Sequence, residues 1–316
     1  MKKFLINSSL ILFTSVFIYP IILCIWCFIF PSFLHGNVSY RIGSNGHMYT
    51  RIQEANNSSN VDILFIGSSL SYRGFDSRIF ENAGLKTFNL GSSSQTPIQS
   101  EFLLTHYLNK LNPKLIVFEC SPITLENDGV ESQCDLMSNF TSTNGMLSII
   151  SSLGSLKALN TYLYATFRKS LKLDENFIEP LKKTSDTYVK GGFVEKKIDH
   201  IPLGILKFNE RKFKPKKYQI NAFRRIKEFL KKNQKEFIIV SAPISNAKYN
   251  SWENRNEITS VLSDNSTYFE FQKLQNYLLE DTLHFYDAIH LNQKGVEIYN
   301  RALLDTLKIY NPKLVE

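Results

Sequence analysis

Val61-Asp62-Ile63-Leu64-Phe65-Ile66-Gly67-Ser68-Ser69-Leu70-Ser71 is the stretch on which the reading of this chain turns. A short apolar run, preceded by the polar Asn56-Asn57-Ser58-Ser59-Asn60 and ended by Gly-Ser-Ser, fits a strand covered on both faces, as strands of a parallel sheet are. The turn that ends it carries hydroxyls at the carboxyl end of the strand. That is the side on which open α/β sheets bind ligands.

Working outward, helix and strand signals alternate. Asp76 caps a short helix to Asn82, with Gly84 just past its end. Lys86 to Leu90 reads as a second strand, leading into Gly91-Ser92-Ser93-Ser94-Gln95. Thr96 and Pro97 open a helix whose Leu104, Tyr107, Leu108 and Leu111 share a face up to Asn112-Pro113. Lys114 to Glu119 is a third strand, Tyr218 to Asn233 a basic amphipathic helix, Glu236 to Ser241 a fourth strand and Tyr268 to Gln272 a fifth. A last helix from Asn292 aligns Val296, Tyr299, Leu303, Leu307 and Tyr310. This alternation predicts right-handed crossovers and a three-layer α/β/α sandwich around a parallel, flavodoxin-like five-stranded sheet.

Near the C-terminus, His284-Phe285-Tyr286-Asp287-Ala288-Ile289-His290-Leu291-Asn292-Gln293-Lys294-Gly295 sets an Asp three residues before a His, ahead of a helix start. A serine hydroxyl is a weak nucleophile at neutral pH. It needs a base, and the base needs a third group to hold its tautomer. Ser69, His290 and Asp287 are the residue types for those roles; Ser71, on the same turn, is a second hydroxyl. His284, Asp287 and His290 also have metal-ligand types at three-residue spacing, and a flexible turn with a capping His is the bland alternative. His35, His47, His106 and His200 stand isolated. No metal or cofactor is called for.

Together the two blocks resemble the first and last sequence blocks of the SGNH/GDSL hydrolase superfamily, with Gly67-Ser68-Ser69-Leu70 where the family has Gly-Asp-Ser-Leu. The resemblance spans Val61 to the C-terminus with a long interruption. It implies Ser69 as nucleophile, because Ser69 stands two after the Gly and directly before Leu, with His290 as base and Asp287 as its partner. It also implies an oxyanion hole from the amides of Ser69 and Gly91. The family's third donor, an Asn soon after the third strand, has no match in Glu119-Cys120-Ser121-Pro122; Asn127 is a weak candidate several residues too late.

Before this domain, Leu10 to Phe30 is apolar and uncharged, long enough at about 1.5 Å per residue to cross a hydrocarbon layer of about 30 Å. No small-residue cleavage site follows, so residues 1–30 read as an uncleaved single-pass anchor in the bilayer. Lys2 and Lys3 favour a cytoplasmic N-terminus and an extracytoplasmic domain. Residues 31–60 read as a stalk and 61–316 as the catalytic domain. Between the third and fourth strands, about 120–217 is too long for a crossover and, with helical periodicity over Met146 to Leu171, reads as an inserted cap or an oligomer contact. Cys24 and Cys27 lie in the span; Cys120 and Cys134 would lie in an oxidising compartment, either joined as a disulfide or as two free buried thiols.

A net charge of +8 raises nucleic acid as a partner, but no nucleic-acid module is recognisable, and anionic lipid or surface polymer suits the topology better. An anchored SGNH domain looks like the branches that move acyl groups onto surface polymers, such as teichoic acid D-alanyl-transfer and alginate-type O-acetylation proteins. The resemblance implies a glycan substrate and a multi-spanning membrane acyltransferase as partner. The expectation is therefore a serine acyl-enzyme, an O-acyltransferase for a cell-envelope polysaccharide. An SGNH/GDSL esterase and a catalytically silent glycan-binding or scaffold module are the alternatives.

Overall fold

The computed structural model describes residues 1–140, 142–198, 207–272 and 279–314, so His200 lies outside the described residues. Two compact units are formed, Met1–Ile42 with Gln133–Ile178, and Gly43–Ser132 with Glu179–Glu316.

The larger unit is built on a sheet of strands β1 (Ile63–Ile66), β2 (Thr87–Asn89), β3 (Leu115–Glu119), β7 (Glu236–Ser241) and β8 (Tyr268–Glu270) in the order β2-β1-β3-β7-β8. Every pairing is parallel. All residues of β1, β2 and β3 are buried, and β1 and β3 accordingly read as nearly continuous apolar runs rather than alternating ones, while β2 buries the polar Thr87 and Asn89 beside Phe88. On one face Phe65 stacks on Phe75 at 4.3 Å, and Phe75 meets Tyr299 of the C-terminal helix Gln293–Tyr310. On the other, Phe118 meets Phe223 of the helix Lys217–Lys232, which packs beside the helix Pro97–Leu111. Val296, Tyr299, Leu303 and Leu307 of the C-terminal helix are buried, at about 1.5–3 kcal/mol for each large apolar side chain. The α/β/α sandwich is the expected one.

A second sheet was not foreseen. Strands β4 (Lys182–Lys183), β5 (Asp186–Val189) and β6 (Phe193–Lys196) form an antiparallel meander whose Gly191 carbonyl accepts from the Asn89 amide at 2.9 Å, against the end of β2. The stretch expected to be a stalk divides as well. Residues Met48–Asn57 form a helix with Met48, Arg51, Ile52 and Ala55 buried, because its apolar stride gives it a face to pack in the α/β unit.

The smaller unit holds the N-terminal helix Lys2–Ile29, long and apolar enough to cross a membrane. Against it packs the helix Leu156–Ser170, which in turn meets the helix Leu147–Leu153. The expected cap at 120–217 is thus no single body: 133–178 belongs with the N-terminal helix, and the remainder described returns to the α/β unit. Of the two alternatives for Cys120 and Cys134, the disulfide is not formed and both are free buried thiols. Each sulfur is seated in its own unit, Cys120 3.7 Å from Thr124 Oγ1 and Cys134 3.6 Å from Thr161 Oγ1.

Candidate active site

The turn after β1 is shaped by Gly67, whose φ of +150° suits glycine and whose hydrogens face β3. A Cβ there would stand 2.6 Å from the Glu119 carbonyl oxygen. Ser68 then caps the short helix Ser69–Tyr72, its Oγ accepting from the Leu70 amide at 3.2 Å. Ser69 opens that helix, half-buried, while Ser68, Leu70 and Ser71 are buried. The strand-to-helix turn therefore presents one hydroxyl outward.

The loop before the C-terminal helix presents the other partners. Asn292 caps that helix through its Oδ1 and the Gly295 amide (3.0 Å), and its Nδ2 donates to the Leu283 carbonyl. Gly295 is required by close approach, since a Cβ would stand 2.4 Å from the His284 carbonyl oxygen. Inside this loop, Asp287 Oδ1 accepts from the amides of Ile289 and His290, both at 2.8 Å. Its Oδ2 lies 2.7 Å from His290 Nδ1. Across the sheet end, His290 Nε2 lies 2.7 Å from Ser69 Oγ.

The three residues picked from the sequence, 221 positions apart between Ser69 and His290, thus form one hydrogen-bonded chain. Burial raises the Asp287 carboxyl, but the His290 hydrogen bond and charge and the two amides outweigh it and hold the group below its ordinary value. With Nδ1 donating to that carboxylate, Nε2 is the nitrogen left to accept the Ser69 proton. Tyr286 lies ring over ring with His290, centroids 5.4 Å apart and planes 6° apart, which fixes the imidazole plane.

Other expected residues are placed differently. Gly91 does not offer a free donor: its amide is bonded to Asn89 Oδ1 at 2.9 Å. The amides of Ser69, Ser93 and Ser94 have no hydrogen-bond partner among the described residues, and Ser94 holds φ +51° in the turn after β2. Asn127 is committed to a local turn, its Oδ1 accepting from the Gly129 amide at 2.8 Å. Ser71 is sequestered, its Oγ 3.1 Å from Asn89 Oδ1. His284 turns away from the chain of three, its Nδ1 accepting from the Glu280 amide.

Two supporting residues were missed. Asn89, buried, ties the two loops together: Oδ1 serves Gly91 and Ser71, and Nδ2 donates to the Ser71 carbonyl at 2.9 Å. Glu119 lies beneath the serine turn, its Oε2 accepting from the Ser68 amide (3.2 Å) and hydroxyl (3.0 Å). Burial pushes its carboxyl up to about 7 against the bonds from Ser68 and Ser121. The signal for Glu119 was in the sequence, a carboxylate ending an otherwise apolar strand; Asn89, in the short strand Thr87–Asn89, gave none as clear. Beyond β3, β7 and β8 opens a cleft lined by Ser121, Ser241, Tyr249, Tyr268, Glu270 and Gln272.

No family model matches the sequence, and no curated protein matches it. Among solved structures, the chain is similar to a candidate acylhydrolase of Bacteroides fragilis, at 10% identity and a TM-score of 0.42 over 85% of this chain and 98% of that one. It is also similar to a GDSL-like lipase of Bacteroides thetaiotaomicron, at 11% identity and a TM-score of 0.42 over 84% of this chain and 98% of that one.

Proposed function

We propose that this chain is a membrane-anchored serine acyl-enzyme of the SGNH/GDSL type, acting on short O-acyl esters of a cell-envelope polysaccharide. The observation that carries the reading is the chain Ser69–His290–Asp287, with both links at 2.7 Å. His290 Nε2 removes the Ser69 proton as Oγ attacks an ester carbonyl, and Asp287 stabilises the imidazolium. His290 then returns the proton to the departing alcohol, leaving an acyl-Ser69 ester. Water or a sugar hydroxyl, deprotonated by the same imidazole, resolves it. The free amide of Ser69, with those of Ser93 and Ser94, replaces the donor pair expected from Ser69 and Gly91.

Transfer to a glycan hydroxyl is supported by the apolar N-terminal helix and by a net charge of +8, which suits an anionic surface. Lys2 and Lys3 support an extracytoplasmic α/β unit. One observation favours hydrolysis instead: the stretch 120–217, which as a single cap could have kept water from acyl-Ser69, is shared between two units. A fluorophosphonate probe should label Ser69, with labelling lost in Ser69→Ala and His290→Ala. Undiminished labelling of Ser69→Ala would place the nucleophile elsewhere. With the unlabelled enzyme, adding an envelope oligosaccharide to an activated acetyl ester separates the two outcomes, as ester-linked glycan or as free acetate.

A further inference from the structure

The anchor helix and the helix Leu156–Ser170 make a series of contacts whose order is informative. Tyr19 Oη donates to Asn160 Oδ1 at 2.8 Å, Cys24 Sγ lies 3.9 Å from the Leu163 carbonyl oxygen, and Tyr164 Oη donates to the Cys27 carbonyl at 2.8 Å. Phe28 meets Phe167 edge to face at 6.3 Å. Residue numbers rise together on both helices, so the two run side by side in the same direction.

That register fixes a depth. With Lys2 and Lys3 held at one membrane surface, a hydrocarbon layer of about 30 Å takes up about 20 residues of helix, so its far boundary falls no lower than Leu23. Tilting the helix only moves the boundary further along it. Tyr19 lies four residues, about 6 Å, below that boundary, and Asn160 is bonded to it. Leu156 begins about 6 Å deeper still. To keep Leu156 outside the hydrocarbon, the span would have to end near Ser15, far short of a bilayer.

We infer that the hairpin of Leu147–Leu153 and Leu156–Ser170 enters the leaflet remote from Lys2 and packs against lipid acyl chains beside the anchor. The inference rests on the anchored reading given under the proposed function. Its surface has the composition this requires. From Leu136 to Phe167 the sequence carries a single charge, Lys157, in a chain that is 21% charged. Leu156 and Leu159 are exposed beside the Gly154-Ser155 turn, and Leu147 is exposed at the far end of the shorter helix, with Ser148, Ser151 and Ser152 exposed between them. Those three serines bond within their own helix turn, Ser151 and Ser152 donating to the Ser148 carbonyl and Ser148 to the Gly145 carbonyl, and Ser155 accepts from the Ala158 amide. Hydrocarbon demands such internal pairing. Lys157 has a flexible stem along which its ammonium can reach toward headgroups. Arg168, Lys169 and Lys172 collect at the other end, level with Phe28, where phosphates would lie.

The full-length chain in phosphatidylcholine–phosphatidylglycerol vesicles tests this, with a nitroxide carried on p-acetylphenylalanine so that the native cysteines stay untouched. Single labels are set at Leu12, Leu147, Leu156 and Glu175, and collisions with oxygen and with a water-soluble nickel chelate are compared. Labels at 147 and 156 should favour oxygen as strongly as the label at 12, and several-fold more than the label at the exposed Glu175. Nickel-dominated collisions at 147 and 156 with oxygen-dominated collisions at 12 would overturn the hairpin insertion while leaving the anchor intact. Nickel-dominated collisions at 12 would overturn the anchor itself. Shielding of 147 and 156 from both reagents would show a protein surface covering the hairpin, which also overturns the proposal.

Discussion

Replacing Glu119 by Gln should stabilise the α/β unit at alkaline pH and flatten its pH dependence. Glu119 is 1% exposed, and its Oε2 accepts two bonds from Ser68. The other titratable groups felt there are the Tyr299 hydroxyl and the Cys120 thiol, both also raised by burial, so no cation offsets the carboxylate. Its folded value of about 7 lies above the ordinary 4.5, so the native state binds the proton more tightly than the unfolded chain does. Stability from this group is complete below about pH 4.5 and is lost as pH rises to about 7, by ~3 kcal/mol at about 1.36 kcal/mol per pH unit. A glutamine keeps an acceptor for Ser68 and carries no charge to desolvate. The assay is urea unfolding of the detergent-solubilised chain between pH 4.5 and 8. With Trp26→Phe, the fully buried Trp252 becomes the reporter of the α/β unit. The Gln variant should match the parent at the acid end and exceed it by ~3 kcal/mol at pH 8. Parallel curves for the two proteins would refute the reasoning, since they would mean that Glu119 ionises in the folded state at no cost.

Three other substitutions bear on the site. Asp287→Asn should leave the melting midpoint nearly unchanged and slow fluorophosphonate labelling by about 10²- to 10⁴-fold, less than for a fully buried triad acid because this carboxylate is 45% exposed; unchanged labelling would remove Asp287 from the relay. Asn89→Ala should cost about 1–3 kcal/mol in the same urea assay, because it strands the buried Ser71 hydroxyl and the Gly91 amide, and should also slow labelling by loosening the serine turn. Gly67→Ala should lose about 1–3 kcal/mol from its dihedral alone, with a further loss from the contact with Glu119; wild-type stability would show that the turn relaxes.

What was legible in the sequence divides by the range of the forces involved. Strands β1, β3 and β7 announced themselves because a strand covered on both faces must be apolar at nearly every position, and that constraint is local. The pair Asp287 and His290 was legible for the same reason: one short loop, closed by two amides onto a single carboxylate oxygen, sets both side chains. Gly91 was misjudged because the deciding interaction, with Asn89 Oδ1, depends on the side-chain conformation of an asparagine that could as easily have faced solvent. The meander of β4, β5 and β6 escaped notice because Lys182–Lys183 and Asp186–Val189 are too short and too polar to show a period of two. The insertion was misread for a different reason. Its helical stride showed that an apolar face existed, but a face does not name its partner. The partner, the anchor helix, lies well over a hundred residues upstream, joined to it by the Tyr19–Asn160 and Tyr164–Cys27 bonds. Asn160, bonded to Tyr19 in the middle of an apolar span, is on the anchored reading the measure of how deep that insertion reaches.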